Sequence, residues 1–315
     1  MKTFVYCNHD WVKFFKRLIL FLLLLYIVDQ VIGEILNYFY MNEKSGLHYR
    51  TTTAMEKTTA DVLVFGSSRA NHHYVPPVFE DSLRVSFYNA GRDGQGILYY
   101  AAVLKSVLKR YTPKLIVLDI NTTELSLTPS KYESLSSLLP YYDKHPEIRD
   151  IVRRRSKHEK WKLISKIYPY NSMLLTIVLG NMEMNKKRKT DMQGYVPLYG
   201  CWTEPVDSVV GNADVDIDKY AFSLLDEILN GAIKEKFKIV CVVSPVFERV
   251  GRSQSVDVVS RLCKEKGILF YSYLNHPLFF DHPDWFQDKI HLNDEGARVF
   301  SKLLVSDLKK QGYLQ

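Results

Sequence analysis

The hydrophobic pattern changes regime along the chain. Leu18–Val28 is an uncharged run of aliphatic and aromatic residues, and beyond Asp29 the apolar character continues through Val31, Ile32, Ile35, Leu36, Tyr38, Phe39 and Tyr40. A helix over 18–40 is long enough to cross a bilayer core of ~30 Å at a rise of ~1.5 Å per residue. Residues 41–60 are polar and threonine-rich, which predicts a linker over Asn42–Ala60. From residue 61 onward, short apolar runs alternate with stretches of helical period. Asp61–Phe65, Arg84–Tyr88, Lys114–Ile120, Phe237–Val243 and Ile268–Tyr271 predict strands. Gly96–Arg110, Asp216–Lys236, Ser253–Lys266 and Asp294–Lys310 predict helices. Strands this continuously apolar are buried on both faces, so the expected fold is α/β: a parallel, flavodoxin-like sheet in a three-layer α/β/α sandwich.

The alternation lapses between Asn121 and Val215, in a stretch rich in tyrosine, leucine and basic residues. This predicts a mostly helical insertion at about 122–215, lying as a lid over the carboxyl edge of the sheet. Met173–Leu179 is apolar but far too short to span a bilayer. The charge runs Arg153–Arg155 and Lys186–Lys189 are expected to be solvated faces, with contact to an anionic polymer or lipid headgroup as the sharper alternative.

Charge gives the N-terminal helix a direction. Lys13, Lys16 and Arg17 stand just ahead of the apolar run, which predicts that residues 1–17 stay in the cytoplasm and the domain at 61–315 lies across the membrane. Two alternatives compete with an uncleaved anchor. A cleavable signal peptide would need a small-residue site, and none follows Val28. An interfacial helix would account for Asp29, Gln30 and Glu34, unless those residues meet partner helices. The formal charge of +7 suits anionic lipid or an acidic polymer; nucleic acid is not expected, because no nucleic-acid motif accompanies the charge. Cys7, Cys201, Cys241 and Cys263 have neither zinc-site nor disulfide-framework spacing and are expected as small buried residues.

In an open parallel sheet, ligands bind beyond the carboxyl ends of the strands. The first predicted strand runs into Gly66-Ser67-Ser68-Arg69, the second into Asn89-Ala90-Gly91-Arg92-Asp93-Gly94 and the third into Asn121; the fifth leads through a loop to Asp288-Lys289-Ile290-His291. All these polar groups fall on one edge. A serine hydroxyl becomes a nucleophile when a base takes its proton, and His291 is the natural base. Asp288, three residues earlier, can turn back to hold the imidazole tautomer. The oxyanion of an attacked carbonyl needs donors, which the backbone N–H groups of Ser68 and Gly94 and the side-chain amide of Asn121 could supply. Each residue also has a plain structural role open to it: helix cap, turn glycine or loop residue.

These blocks resemble the SGNH (GDSL-like) hydrolases. Val64-Phe65-Gly66-Ser67-Ser68-Arg69-Ala70 is similar to block I, Asn89–Gly94 to block II, and Asp288-Lys289-Ile290-His291-Leu292-Asn293 to block V. Leu118-Asp119-Ile120-Asn121 stands where block III usually reads Gly-x-Asn-Asp, but lacks its glycine and second acid; Ser67 replaces the aspartate common in block I. The resemblance implies Ser68, Asp288 and His291 as catalytic residues, with Ser68, Gly94 and Asn121 as oxyanion donors, and no metal or cofactor. The anchor and insertion are similar to membrane-tethered SGNH-like proteins that help O-acylate envelope polysaccharides or teichoic acids, often beside a membrane-bound acyltransferase. This implies an esterase or O-acyltransferase on envelope glycans, in an inner membrane with its domain periplasmic. The alternative is an inactive binding or scaffolding subunit of such an assembly. His72-His73 is expected to line the pocket and not to hold a metal. Arg69 is expected to hold a substrate carboxylate or pair with a nearby acid, and Asp281-His282-Pro283-Asp284 is a decoy for the catalytic pair.

Overall fold

The apolar N-terminal segment forms one helix, Lys2–Met41 (α1), long and apolar enough over 10–41 to cross a membrane. The structure, a computed structural model, describes residues 2–185, 192–203, 216–280 and 282–313, with side chains from Asp10 onward. The run Lys186–Lys189, Asp281 and the side chain of Cys7 therefore lie outside the described residues, as do parts of the insertion at 186–191 and 204–215.

The expected linker at 41–60 is corrected. It contains Leu47–Thr52 (α2) and a π-helical turn, Thr53–Lys57, and Thr51, Thr52 and Met55 are buried. Threonine misleads here because a hydroxyl can be buried once it is bonded. Thr51 and Thr52 share hydrogen bonds with the hydroxyls of Tyr99 (2.7 Å) and Tyr141 (2.6 Å).

Then follow Val62–Phe65 (β1), Ser68–His73 (α3), Pro76–Leu83 (α4), Phe87–Asn89 (β2), Ile97–Arg110 (α5) and Leu115–Asp119 (β3). The insertion contributes Pro129–Glu133 (α6), Arg149–Arg153 (α7), Glu159–Lys162 (α8) and Leu174–Asn181 (α9), with 3₁₀ turns between them. Lys219–Glu235 (α10), Lys238–Val243 (β4), Gln254–Lys266 (α11), Leu269–Ser272 (β5), Pro277–Phe280 (α12) and Asp294–Lys310 (α13) complete the chain. The five strands are parallel in the order β2-β1-β3-β4-β5.

Successive strand residues point to opposite faces. Leu63, Phe65, Ile116, Leu118, Ile239 and Cys241 pack with α5, α10 and α11. Val62, Val64, Leu115, Val117, Val240 and Val242 pack with α4 and α13. The expected α/β/α sandwich is thus present. Strand β2 starts later than the sequence predicts because Arg84 takes a left-handed conformation (φ 52°) and caps α4, its N–H donating to the Glu80 carbonyl at 2.8 Å. Cys241 and Cys263 are buried as expected, whereas Cys201 is exposed.

The insertion is not mainly a lid over the sheet edge. Leu135, Leu138, Tyr141, Ile148 and Ile177 join the core on the α5 side together with Tyr40 of α1. Its return, 192–203, crosses the polar edge: Asn89 N–H donates to Gln193 O (2.8 Å), Val196 N–H to Asn71 O (3.1 Å) and Trp202 N–H to Phe286 O (2.7 Å). Gly194 (φ 85°) permits this, since a Cβ there would lie 1.9 Å from the Asn89 carbonyl oxygen.

Candidate active site

The strand order changes direction between β1 and β3, and the crevice at such a switch point opens beyond their carboxyl ends. Ser68 starts α3 directly after β1. Gly66 makes the turn possible: a Cβ there would lie 2.8 Å from both Ala70 Cβ and the Asp119 carbonyl oxygen. Ser68 Oγ lies 2.7 Å from His291 Nε2, and His291 Nδ1 lies 2.8 Å from Asp288 Oδ2 and 3.0 Å from Oδ1. An ionised carboxylate only accepts, so Nδ1 carries the proton and Nε2 is left to accept from the serine hydroxyl.

His291 and Asp288 share one small hairpin. Phe286 pairs with Leu292, and Gln287 N–H donates to His291 O at 2.9 Å. Asp288 Oδ1 closes the turn by accepting from the N–H groups of Ile290 and His291, both at 2.9 Å. Burial pushes the Asp288 carboxyl up, but the hydrogen bonds from His291 and Ile290 outweigh it and hold the carboxyl below its ordinary range. It therefore stays ionised beside the imidazole.

His73, expected only to line the pocket, has a structural part that the sequence alone does not assign. His73 is fully buried; Leu292 N–H donates to its Nε2 at 3.0 Å, and its Nδ1 lies 3.1 Å from Ser244 Oγ. Burial first, then the charges of His291, Arg69 and His72, hold it well below the usual imidazole range, so it is neutral. This side chain ties the His291 hairpin to the helix that begins with Ser68. Asn293 adds a second tie: its Oδ1 accepts from Gly296 N–H at the start of α13, and its Nδ2 donates to Asp284 O and Gly200 O. The signal for both was available, as a histidine five residues after the serine and an Asn just before a helix.

The other candidates divide. His72 stands edge-on to His291 with ring centroids 5.7 Å apart; its Nδ1 donates to Val196 O at 2.6 Å, and its Nε2 lies 3.2 Å from Asp93. Arg69 is buried against an acid: it donates to Ile120 O (2.5 Å) and Ser244 O (3.3 Å) and lies 3.5 Å from Asp119. Asp119 is fully buried and also accepts from the Tyr74 hydroxyl at 2.6 Å. Burial pushes its carboxyl up, against the pull of Arg69.

The loop 89–94 is held to the turn before Ser68 by Arg92 N–H donating to Gly66 O at 3.1 Å. Gly94 has φ 70°, and a Cβ there would meet nothing within 4 Å, so conformation and not crowding accounts for the glycine. Asn121 Oδ1 accepts from Thr123 N–H at 3.2 Å and Thr122 Oγ1 at 3.3 Å, which is a turn-capping role. Its Nδ2 donates to no described residue.

No protein-family model matches this chain, and no curated protein matches it in sequence. Among solved structures, it is similar to a Streptococcus pneumonia protein provisionally described as a platelet activating factor (13% identity, 90% of this chain and 98% of that one, TM-score 0.43). It is also similar to a gut microbial diltiazem-metabolizing enzyme (11% identity, 80% of this chain, TM-score 0.37), about half of whose length it spans at 47%. At these identities and scores the likenesses carry no argument about activity.

Proposed function

We propose that this chain is a membrane-anchored serine acyl-ester enzyme of the SGNH type, in which Ser68 is the nucleophile, His291 the general base and Asp288 the group that orients it. The observation that carries this reading is the continuous Ser68–His291–Asp288 hydrogen-bonded chain. As Ser68 Oγ attacks an ester carbonyl, its proton passes to His291 Nε2, and the imidazolium formed is stabilised by the Asp288 carboxylate. Collapse of the tetrahedral adduct expels the alcohol, which takes that proton, and leaves an acyl-Ser68 ester. A second hydroxyl, from water in a hydrolase or from a sugar in an O-acyltransferase, then loses its proton to His291 and releases the acyl group. The N–H groups of Ser68 and Gly94 and the Asn121 amide are proposed as donors to the oxyanion.

The substrate we propose is an acylated envelope glycan or a related acyl ester, with α1 spanning the inner membrane and the domain periplasmic, next to a membrane-bound acyltransferase. The test uses the full chain in membranes, treated with a fluorophosphonate probe and with p-nitrophenyl acetate. Labelling and acetate release should disappear in Ser68→Ala and His291→Ala. A folded wild-type protein that takes up no probe would defeat the proposal and favour the binding-subunit alternative.

A further inference from the structure

Apart from Thr176 and Asn181, helix α9 is apolar on every side. Ile177 and Gly180 are buried, and with Met173 they form the stripe that faces the protein. The other face, Leu174, Leu175 and Val178, continued by Met182, is exposed, Leu175 at 70%. Trp161 (69%) and Ile164 project from the neighbouring part of the insertion. A helix hydrophobic all round belongs inside a protein or a membrane, and no described residue covers this face.

Its surroundings identify the cover. The uncharged run Leu18–Val28 extends only about 16 Å as a helix, roughly half of a ~30 Å bilayer core. If α1 spans, the hydrocarbon must therefore extend past Asp29 toward Tyr38. The insertion lies along that part of α1. Asp29 accepts from Ser165 Oγ (2.6 Å) and Lys166 N–H (2.8 Å). At Gly33 the two chains approach so closely that a Cβ would lie 2.2 Å from Lys166 Cβ. Tyr170 donates to Asn37 at 3.1 Å, and Asn181 to Phe39 O at 2.9 Å. An acidic residue at membrane depth survives where protein groups satisfy it, and the insertion does so for Asp29, while Glu34 stays exposed.

We propose that the segment 161–184 is seated in the outer leaflet beside the second half of α1, with Trp161, Ile164, Leu174, Leu175, Val178 and Met182 in contact with lipid. The membrane attachment is then two-part, and it fixes the height of the catalytic edge above the bilayer. This inference rests on the reading of α1 as a membrane span.

The test uses the full chain in nanodiscs of phosphatidylcholine and phosphatidylglycerol, with or without bromine on the acyl chains. Two single-tryptophan proteins are compared, the remaining tryptophans being changed to Phe: one keeps Trp161, the other carries Leu23→Trp. Circular dichroism checks that each is folded. Both reporters should lose most of their fluorescence to brominated lipid, and Trp161 should be shielded from acrylamide in the water. A quenched Leu23→Trp reporter beside an unquenched Trp161 overturns the inference with the span intact, and assigns the apolar face to a protein partner. If neither is quenched, the span itself is refuted and the inference with it.

Discussion

In β1, β3 and β4 every apolar side chain is buried, whereas Ile19–Val28 of α1 and Leu174, Leu175 and Val178 of α9 leave about two-fifths or more of their surface open. The residue types are the same; the covering is not. The sheet makes its own apolar surroundings from α4, α5, α10, α11 and α13, so its site is held by contacts within the chain. The α1 region has apolar surface left over, so its stability depends on what surrounds the protein. The difference predicts two kinds of damage: chemistry lost without loss of fold at the sheet edge, and attachment lost without loss of chemistry along α1.

The largest effect belongs to the sheet edge. Ser68→Ala or His291→Ala should lower kcat on the order of 10⁶-fold, since members of such a unit fail together. Asp288→Asn should cost roughly 10⁴-fold, because the imidazole loses the partner that sets its tautomer. p-Nitrophenyl acetate hydrolysis measures both, and an unchanged melting temperature for Ser68→Ala would show that the damage is chemical. A Ser68→Ala protein that melts far lower would contradict the division drawn here.

Next comes a backbone test of how the insertion joins the sheet. Gly194→Ala places a Cβ 1.9 Å from the Asn89 carbonyl oxygen at a residue with φ 85°, and should destabilise the sheet domain by about 2 kcal/mol or more. Thermal melting reads this directly. Gly33→Leu is the matching change in α1, where the new side chain would meet Lys166. It should cost about 1–3 kcal/mol of local packing, seen as faster proteolysis within 161–184 in nanodiscs while ester hydrolysis persists. Equal loss of both properties would mean that the two regions are one cooperative unit.

The sheet was legible because continuous runs such as Lys114–Ile120 have few other ways to be buried, and Ser68, Asp288 and His291 because strand ends converge by topology. Elements defined by a single dihedral or by distant partners were harder. The left-handed Arg84 moved the start of β2, and α4 announced itself only by Pro76-Pro77 at its first turn. Residues 41–60 looked like a linker because composition cannot show that Thr51 and Thr52 find tyrosine hydroxyls far away in sequence. The position of the insertion was similarly hidden: its contacts with α1 run through Ser165, Lys166 and Tyr170, which carry no periodic signal.

The smallest effect is a difference in pH slope, and it lies wholly at the sheet edge. His73 is neutral in the fold, its imidazole held below the ordinary 6.5, first by burial and then by neighbouring positive charge. When the chain unfolds, that imidazole regains its ordinary affinity for protons, so below about pH 6.5 the unfolded state binds more of them. The stability His73 contributes is thus complete above that pH and is lost as pH falls toward the depressed folded value. Asp288 acts in a different window, because its lowered carboxyl gives stability that is lost only below its ordinary 3.8. His73→Gln can place Oε1 where Nε2 stands and still accept from Leu292 N–H, but cannot titrate. It should lower the melting temperature at pH 7.5, the cost of an imperfect buried hydrogen bond being about 1–3 kcal/mol. It should also lose less stability than wild type between pH 7 and 5, so that the two melting curves converge on acidification. Parallel curves would show that His73 titrates alike in both states, and the tie between α3 and the His291 hairpin would then be purely geometric.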